Sequence, residues 1–281
     1  IYSCNLWSAI PAPDPSCFEH QTLAQEHKLD TFARLLGARP GLRVLEVGCA
    51  QGGALRYLAH RYGISGYGIA LSERQVAYAR EQAASLGVAV RYEVRHWKDL
   101  SAADGPFDAI ISDEVIVHFF QLEQFFRRAF SWLADDGVMV HKEVHFTHPS
   151  YGSRMDRLAV LANDIFGGTG NYRTLAEELE LHHRAGFHID SVVEIPRRDY
   201  ALTARSWYEN LRRHQDELVE LIGAARYLHF LKWVAWVQLG PGGQSQDTPI
   251  MSTHFVKSRK APAPLRRRLG ILDPEPQGQD E

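Results

Sequence analysis

The chain has 281 residues, 45% of them hydrophobic, and a formal net charge of −3. That length buries a sizeable core in one large or two small domains, while Lys and Arg interspersed among Asp and Glu give no field that would hold a polyanion, which argues against nucleic acid as a partner. No apolar run approaches the roughly 20 residues of a membrane span. The three cysteines, Cys4, Cys17 and Cys49, are odd in number and lack metal-ligand spacing, so reduced thiols in a cytoplasmic protein are expected. Ile1 stands where Met would begin a natural chain, as expected of a sequence lacking its start.

Residues 1–18 read as an N-terminal arm, because Pro11, Pro13 and Pro15 prevent a helix or an inner strand. From Glu19 to Leu36 the apolar positions recur at helical spacing until Gly37 and Pro40 end the run. Arg43–Val47 is a short apolar, β-prone run stopped by Gly48, and Gly53–Tyr62 then reads as a helix. Gly66–Ala70 is a second strand, Glu73–Leu86 a helix, Val88–Val94 a third strand and Phe107–Ser112 a fourth. A helix over Leu122–Leu133 and the turn Asp135-Asp136-Gly137 lead into a fifth strand, Val138–Phe146. Strands alternating with helices predict a doubly wound, mostly parallel sheet of the α/β class, with helices on both faces.

Beyond the fifth strand, Pro149 to Gly170 has helical spacing without a matching strand. A helical insertion near 149–172 is expected there, placed over the carboxyl edge of the sheet as a substrate lid. A helix over Thr174–Ala185, a strand over Phe187–Ile195, a long helix over Ala204–Gly223 and a strand over Met251–Lys257 complete seven strands. One catalytic domain over 19–258 is predicted, followed by a flexible tail over 259–281, where Pro, Arg and acids dominate.

In such a sheet, ligands bind outside the carboxyl ends of the strands where strand order reverses, and the first strand-turn-helix lies there. Gly48, Gly52 and Gly53 fall at that turn, where glycine allows positive φ and close ligand approach. Their spacing is not the Gly-x-Gly-x-x-Gly of a dinucleotide site, and the second strand ends in Ala70 without an acid for a ribose. A dinucleotide oxidoreductase is therefore disfavoured.

The ordered features resemble the cyclopropane-fatty-acid and mycolic-acid cyclopropane synthase family of S-adenosylmethionine (SAM) methyltransferases. The resemblance rests on the arm Tyr2-Ser3-Cys4, Ala24-Gln25 with Lys28-Leu29, the turn from Glu46 to Gly53, and Leu71-Ser72 with Gln75. It extends through His96-Trp97 with Asp99, Phe107-Asp108 with Ser112, the run from Gly137 to His141, and the set Asp199, Tyr200, Thr203, Trp207 and Tyr208. It implies a class I SAM methyltransferase, a Rossmann-like fold. By that resemblance Tyr2 and Ser3 would close over SAM, Glu46, Gly48 and Gly52 would hold its methionine part, Leu71, Ser72 and Gln75 would meet the ribose, and His96 and Trp97 would lie at the adenine, over which an indole offers a flat π-surface. From position alone, Trp97 reads equally well as a cap on the core edge. Cys49 reads as a small buried filler.

Family members are expected to methylate a carbon-carbon double bond through a carbocation that then loses a proton, with a bicarbonate ion as base. Its implied ligands are a cysteine, a glutamate, a histidine and a tyrosine. Cys4, His141 and Tyr200 match three of them. The family's Phe-Glu-His reads Ile116-Val117-His118 here, so Val117 takes the glutamate position and puts bicarbonate in doubt. Glu114 is a nearby carboxylate. Because side chains alternate along a strand, His141, Glu143 and His145 would share one face. If that face looks into the pocket, Glu143 is the candidate proton acceptor, its pKa raised beside apolar walls. The same three residues have the types of a two-His, one-carboxylate metal triad, but the resemblance points to a metal-free family and no metal is expected.

His182, His183 and His214 read as solvated surface. Phe119, Phe120, Phe125, Phe126, Trp207, Tyr208, Trp233 and Trp236 either line an apolar tunnel or form ordinary core. Arg197-Arg198 either meets a phosphate or carrier group or is an exposed pair with no such role. The resulting expectation is a SAM-dependent C-methyltransferase acting on an apolar small-molecule or carrier-bound alkene of lipid, isoprenoid or polyketide type. The alternatives are a methyltransferase-fold cyclase, a SAM-binding protein without methyl transfer, and a fatty-acyl cyclopropane synthase. Oligomeric state is not legible in the sequence.

Overall fold

The computed structural model describes residues 2–154, 170–239 and 251–269. Its seven strands are β1 Arg43–Val47, β2 Ser65–Ala70, β3 Val90–Val94, β4 Phe107–Asp113, β5 Leu133–Phe146, β6 Phe187–Ile195 and β7 Met251–Lys260, in the sheet order β3-β2-β1-β4-β5-β7-β6. The pairs β1·β2, β1·β4 and β2·β3 are parallel. This bears out the doubly wound sheet and its class I SAM methyltransferase topology. Strand order reverses between β1 and β4, so the loops after these two strands flank the expected ligand position.

The helices are α1 Phe18–Leu36, α2 Gly53–Tyr62, α3 Glu73–Leu86, α4 Leu122–Trp132, α5 Leu175–Arg184, α6 Arg197–Arg213, α7 Gln215–Ile222, α8 Ala224–Leu239 and α9 Ala263–Leu269. The described residues form two compact units. One draws on Ile1–Thr31, Lys142–Leu175 and Val193–Phe255, the other on Phe32–His141, Ala176–Val192 and Val256–Glu281. The second unit contains the main core, in which Leu45, Val47, Ile69 and Ile110 from the strands pack with Phe125, Phe126 and Phe130 of α4. Helix α4 presents its apolar residues on one side and keeps Glu123 and Arg127 paired toward solvent one turn apart.

In the first unit the N-terminal arm is held by side chains of α6. Asp199 Oδ2 accepts hydrogen bonds from the backbone amides of Trp7 and Ser8 at 3.0 and 3.2 Å, and its Oδ1 accepts from Ser8 Oγ at 2.6 Å. One turn on, Thr203 Oγ1 accepts from the amide of Asn5 and the indole N–H of Trp7, both at 3.0 Å. Trp7 is fully buried beside Ile10 and Ala24. The four-residue spacing of Asp199 and Thr203 puts both on one face of the helix, which gives this part of the sequence motif a structural role.

Several element boundaries differ from expectation. The single helix expected over Ala204–Gly223 is α6 and α7, interrupted at His214, and Gly223 at φ 80° then separates α7 from an additional helix, α8. Strand β5 begins five residues earlier than expected, with Asp136 at φ 65° inside it. The tail expected to be flexible is ordered as α9 up to Leu269. Arg266 of α9 is buried, with its guanidinium 5.4 Å from the Phe130 ring centroid and 3.3 Å from Asp135 Oδ1, so its charge is neutralised while its stem covers an aromatic face. The predicted lid near 149–172 lies mostly outside the described residues; Pro149–Arg154 forms a 3-10 turn.

Candidate active site

The turn after β1 is fixed by its backbone. The amides of Gly48 and Cys49 both donate to the Ile69 carbonyl, at 2.9 and 3.0 Å, and Gly52 N–H closes onto the Cys49 carbonyl at 2.7 Å. Gly48 has φ +79°, and a Cβ there would come within 2.5 Å of Val115 Cγ1, in the loop after β4. Gly52 has φ +71°, and a Cβ there would strike the Tyr92 ring at 2.5 Å. Both positions therefore need glycine for conformation and for space. Tyr92 also supports the turn directly, its hydroxyl donating to the Gly52 carbonyl at 2.7 Å. Burial, with Glu46 nearby, raises the Tyr92 pKa. Burial and Glu46 likewise raise that of Cys49, so the thiol stays neutral and the filler reading of Cys49 fits its environment.

Above this turn is a cavity of about 190 Å³. Gly48, Leu71, Gln75, His96 and Trp97 line it, with Ala50, Ala70, Arg95, Val115 and Phe119. Trp97 is held by a tilted contact with Phe119 at 5.6 Å between centroids and an edge contact with Phe125 at 5.5 Å. His96 Nδ1 accepts the backbone N–H of Lys98 at 3.0 Å. Burial lowers the His96 pKa against the pull of Asp99, with Lys98 adding to the lowering. Ser72 caps α3 by accepting the Gln75 amide at 3.4 Å. Glu46, in β1, and Gly52, in the turn, are not part of the cavity lining. Arg95, which sequence reasoning missed, carries the signal of a cation at the carboxyl end of β3, and it is anchored by Asp104 at 2.6 Å.

Tyr2, Ser3 and Cys4 belong to the first unit. Tyr2 stacks on Trp207 at 4.3 Å between centroids, and Trp207 stacks in turn with Trp233 at 6.2 Å. Ser3 and Cys4 are buried, and Lys28 Nζ donates to Ser3 Oγ.

Strand β5 stays extended and divides its side chains between two faces. On one, Val144 and Phe146 pack with Met251, Tyr172 and Tyr200. On the other, His145 Nδ1 meets His254 Nδ1 at 3.1 Å, and His141 Nε2 meets Glu178 Oε1 of α5 at 2.7 Å. Glu143 is buried on the same face as His141 by alternation, and its Oε1 accepts the Val144 amide at 2.9 Å. Tyr200 packs on the face of Val144 and Phe146, whereas Glu143 alternates to the opposite one. Lys142 shares the face of Val144 and Phe146 and is fully buried.

Val117 is buried and apolar, and partial desolvation lowers the pKa of His118 beside it. Glu114 occupies a left-handed conformation at φ 55°. His141 Nε2 is taken up by Glu178, and the Val117 side chain offers no polar atom. The metal triad read as His141, Glu143 and His145 does not assemble either, because each side chain meets a different partner. His182, expected at the surface, is fully buried against the Phe126 ring at 3.8 Å between centroids, since α5 turns that face to the core; His183 and His214 are exposed. Of the proposed tunnel aromatics, Phe125 and Phe126 are core, Phe120 is 76% exposed, and Trp207, Tyr208 and Trp233 cluster with Tyr200. The side chain of Trp236 lies outside the described residues.

A model of the mycolic acid cyclopropane synthetase family matches residues 1–238. This chain belongs to that family. It is an enzyme of the SAM-dependent methyltransferase class, as the sequence resemblance implied. Among its relatives is the methoxy mycolic acid synthase MmaA3 of Mycobacterium tuberculosis, 29% identical over 225 residues, covering 75% of each chain. The structure of the cyclopropane synthase MmaA2 from Mycobacterium tuberculosis matches with a TM-score of 0.78 at 23% identity, covering 92% of this chain and 90% of that one. That of the mycolic acid cyclopropane synthase CmaA1, complexed with SAH and CTAB, matches with a TM-score of 0.76 at 21% identity, again covering 92% and 90%. At these identities the structural matches carry the fold. Among the described residues no helix is long and apolar enough to cross a membrane.

Proposed function

We propose that this protein transfers the methyl group of SAM to a carbon-carbon double bond of an apolar, lipid-like substrate, forming a carbocation that then loses a proton. The family match over residues 1–238 carries this reading, because it takes in both the cofactor turn and the aromatic helices of the other unit. That a homologue was crystallised with SAH supports SAM as the donor. SAM supplies an electrophilic methyl group when bound. Gly48, Leu71, Gln75, His96 and Trp97 would hold it, the indole lying against the adenine and the glycine admitting close approach of the backbone.

Tyr200, with Val144 and Phe146, offers an apolar wall suited to an alkene. The proton acceptor lies between two buried candidates on opposite faces of β5, Glu143 and Lys142, and the face that bears Tyr200 favours Lys142. As a neutral amine, Lys142 would accept the proton directly.

The test incubates the protein with methyl-labelled SAM and a panel of unsaturated lipids, prenyl diphosphates and polyketide thioesters. Label entering one class of product at carbon supports the reading. SAM or SAH binding with no labelled carbon product across the panel would replace it with cofactor binding without methyl transfer. Lys142→Met and Glu143→Gln, compared for the release of the labelled product, assign the acceptor.

A further inference from the structure

Outside the cofactor cavity, the second unit contains a concentrated set of buried titratable groups. His141 of β5 and His182 of α5 are fully buried, and Glu178 is 1% exposed. Glu178 and His182 are four residues apart, which puts them one above the other on the face of α5 that meets β5. His141 Nε2 and Glu178 Oε1 are 2.7 Å apart, and the two imidazoles stack at 5.0 Å with 10° between their planes. One donor atom from each of the three residues lies within 4.8 Å of the others.

Glu178 pairs with His141, as a buried carboxylate must with some partner. The described surroundings are aromatic, with Phe126 over His182 and Phe187 at its edge. The Nδ1 of His141 has no hydrogen-bond partner among the described residues. Two imidazoles and one carboxylate are the donor set of borderline divalent metals such as Zn²⁺, Co²⁺ and Fe²⁺, with ligand bonds of about 2.0–2.2 Å for zinc.

We propose that His141, Glu178 and His182 bind one divalent transition-metal ion, which pins α5 to β5. Binding forms bonds from the metal to two ring nitrogens and one carboxylate oxygen. The proton held between His141 and Glu178 is displaced to solvent, and the metal keeps its +2 charge throughout, so no oxidant or reductant is involved. Small side-chain shifts bring the donors from 4.8 Å to the closer spacing a single ion requires. The site is structural, because its ligands are shut away from solvent, and it is independent of the cofactor cavity and of the methyl-transfer reading.

The test uses the full chain, stripped with a chelator and then loaded with Zn²⁺ or Co²⁺, followed by gel filtration and elemental analysis. One equivalent retained per chain is expected, together with a rise in Tm of several degrees, since an ion that binds only the folded state stabilises it by mass action. The Co²⁺ form should show visible d-d bands without a thiolate charge-transfer band. Glu178→Gln, which keeps the shape and a hydrogen bond to His141, and His182→Gln should each abolish stoichiometric retention, while the surface control His183→Gln should keep it. Should a core variant fail to fold, the Co²⁺ spectrum of the unsubstituted protein still decides between histidine-carboxylate and cysteine ligation. Substoichiometric retention without a shift in Tm, a thiolate band, or undiminished retention in Glu178→Gln and His182→Gln would overturn the proposal.

Discussion

The turn after β1 and the end of β5 both carry residues that the sequence singles out, and they are built in opposite ways. At the turn, neighbouring residues act through their backbones. Gly48, Cys49 and Gly52 bond to the main chain, and the cavity above takes its lining from the ends of adjacent parallel strands. At β5, neighbouring residues act through side chains that leave in different directions, His141 toward Glu178 and His145 toward His254. A contiguous motif therefore locates a site when the backbone makes it. It locates only the attachment points when distant side chains make it.

The first way to test this contrast is at the arm, which is held by side chains. Asp199→Ala leaves the amides of Trp7 and Ser8 and the Ser8 hydroxyl without their acceptor, and should cost roughly 3 kcal/mol. Urea denaturation would show the loss, and limited proteolysis should cut within residues 1–18 first. A cleavage pattern and midpoint like those of the unsubstituted protein would mean that Thr203 and Trp7 hold the arm alone.

At the turn, the expected losses fall on cofactor affinity. Gly48→Ala puts a methyl group into Val115 at a left-handed φ, and strain with overpacking should weaken SAM binding about a hundredfold. Titration calorimetry with SAH measures it; unchanged affinity would show that the cofactor does not use this turn. Tyr92→Phe removes only the hydrogen bond to the Gly52 carbonyl and should weaken binding about fivefold, near 1 kcal/mol. If Tyr92 supports the turn without touching the reacting atoms, KM for SAM rises while kcat holds.

The smallest effect is the pH dependence of His96. Burial lowers its folded pKa, while the unfolded imidazole titrates near the ordinary value of about 6.5. Below that value the unfolded chain binds more protons, so the contribution of His96 is fully present above about pH 6.5 and declines as pH falls toward the folded pKa. Tm measured from about pH 7.5 to 5 should fall less steeply in His96→Gln. An identical slope would remove His96 from the acid-sensitive groups.

The same contrast explains what was legible beforehand. Six of the seven strands start within two residues of their predicted positions because alternating apolar runs and glycine stops are local signals; β5 starts five residues early because a left-handed Asp136 continues the strand through what reads as a turn. Helix α8 escaped notice because its apolar and aromatic residues surround it instead of forming a stripe. The C-terminal helix escaped because its arginines read as solvated, whereas Arg266 packs on Phe130. His182 escaped because nothing local distinguishes a buried histidine from its exposed neighbour His183; the partner that decides it, His141, is a strand and a helix away.

Strand β5 carries two messages interleaved in one stretch of chain. Its odd positions, His141, Glu143 and His145, bring polar chemistry to one side, and its even positions, Val144 and Phe146 with Lys142, turn toward the other. The reading frame between them is a single residue wide. Deleting one residue between Gly137 and His141 would exchange the two sets, driving two histidines and a carboxylate against Tyr200 and Tyr172 and bringing Lys142 to the place where His141 meets Glu178. Single substitutions along β5 thus leave its two faces where they are, whereas a change of length there would exchange them.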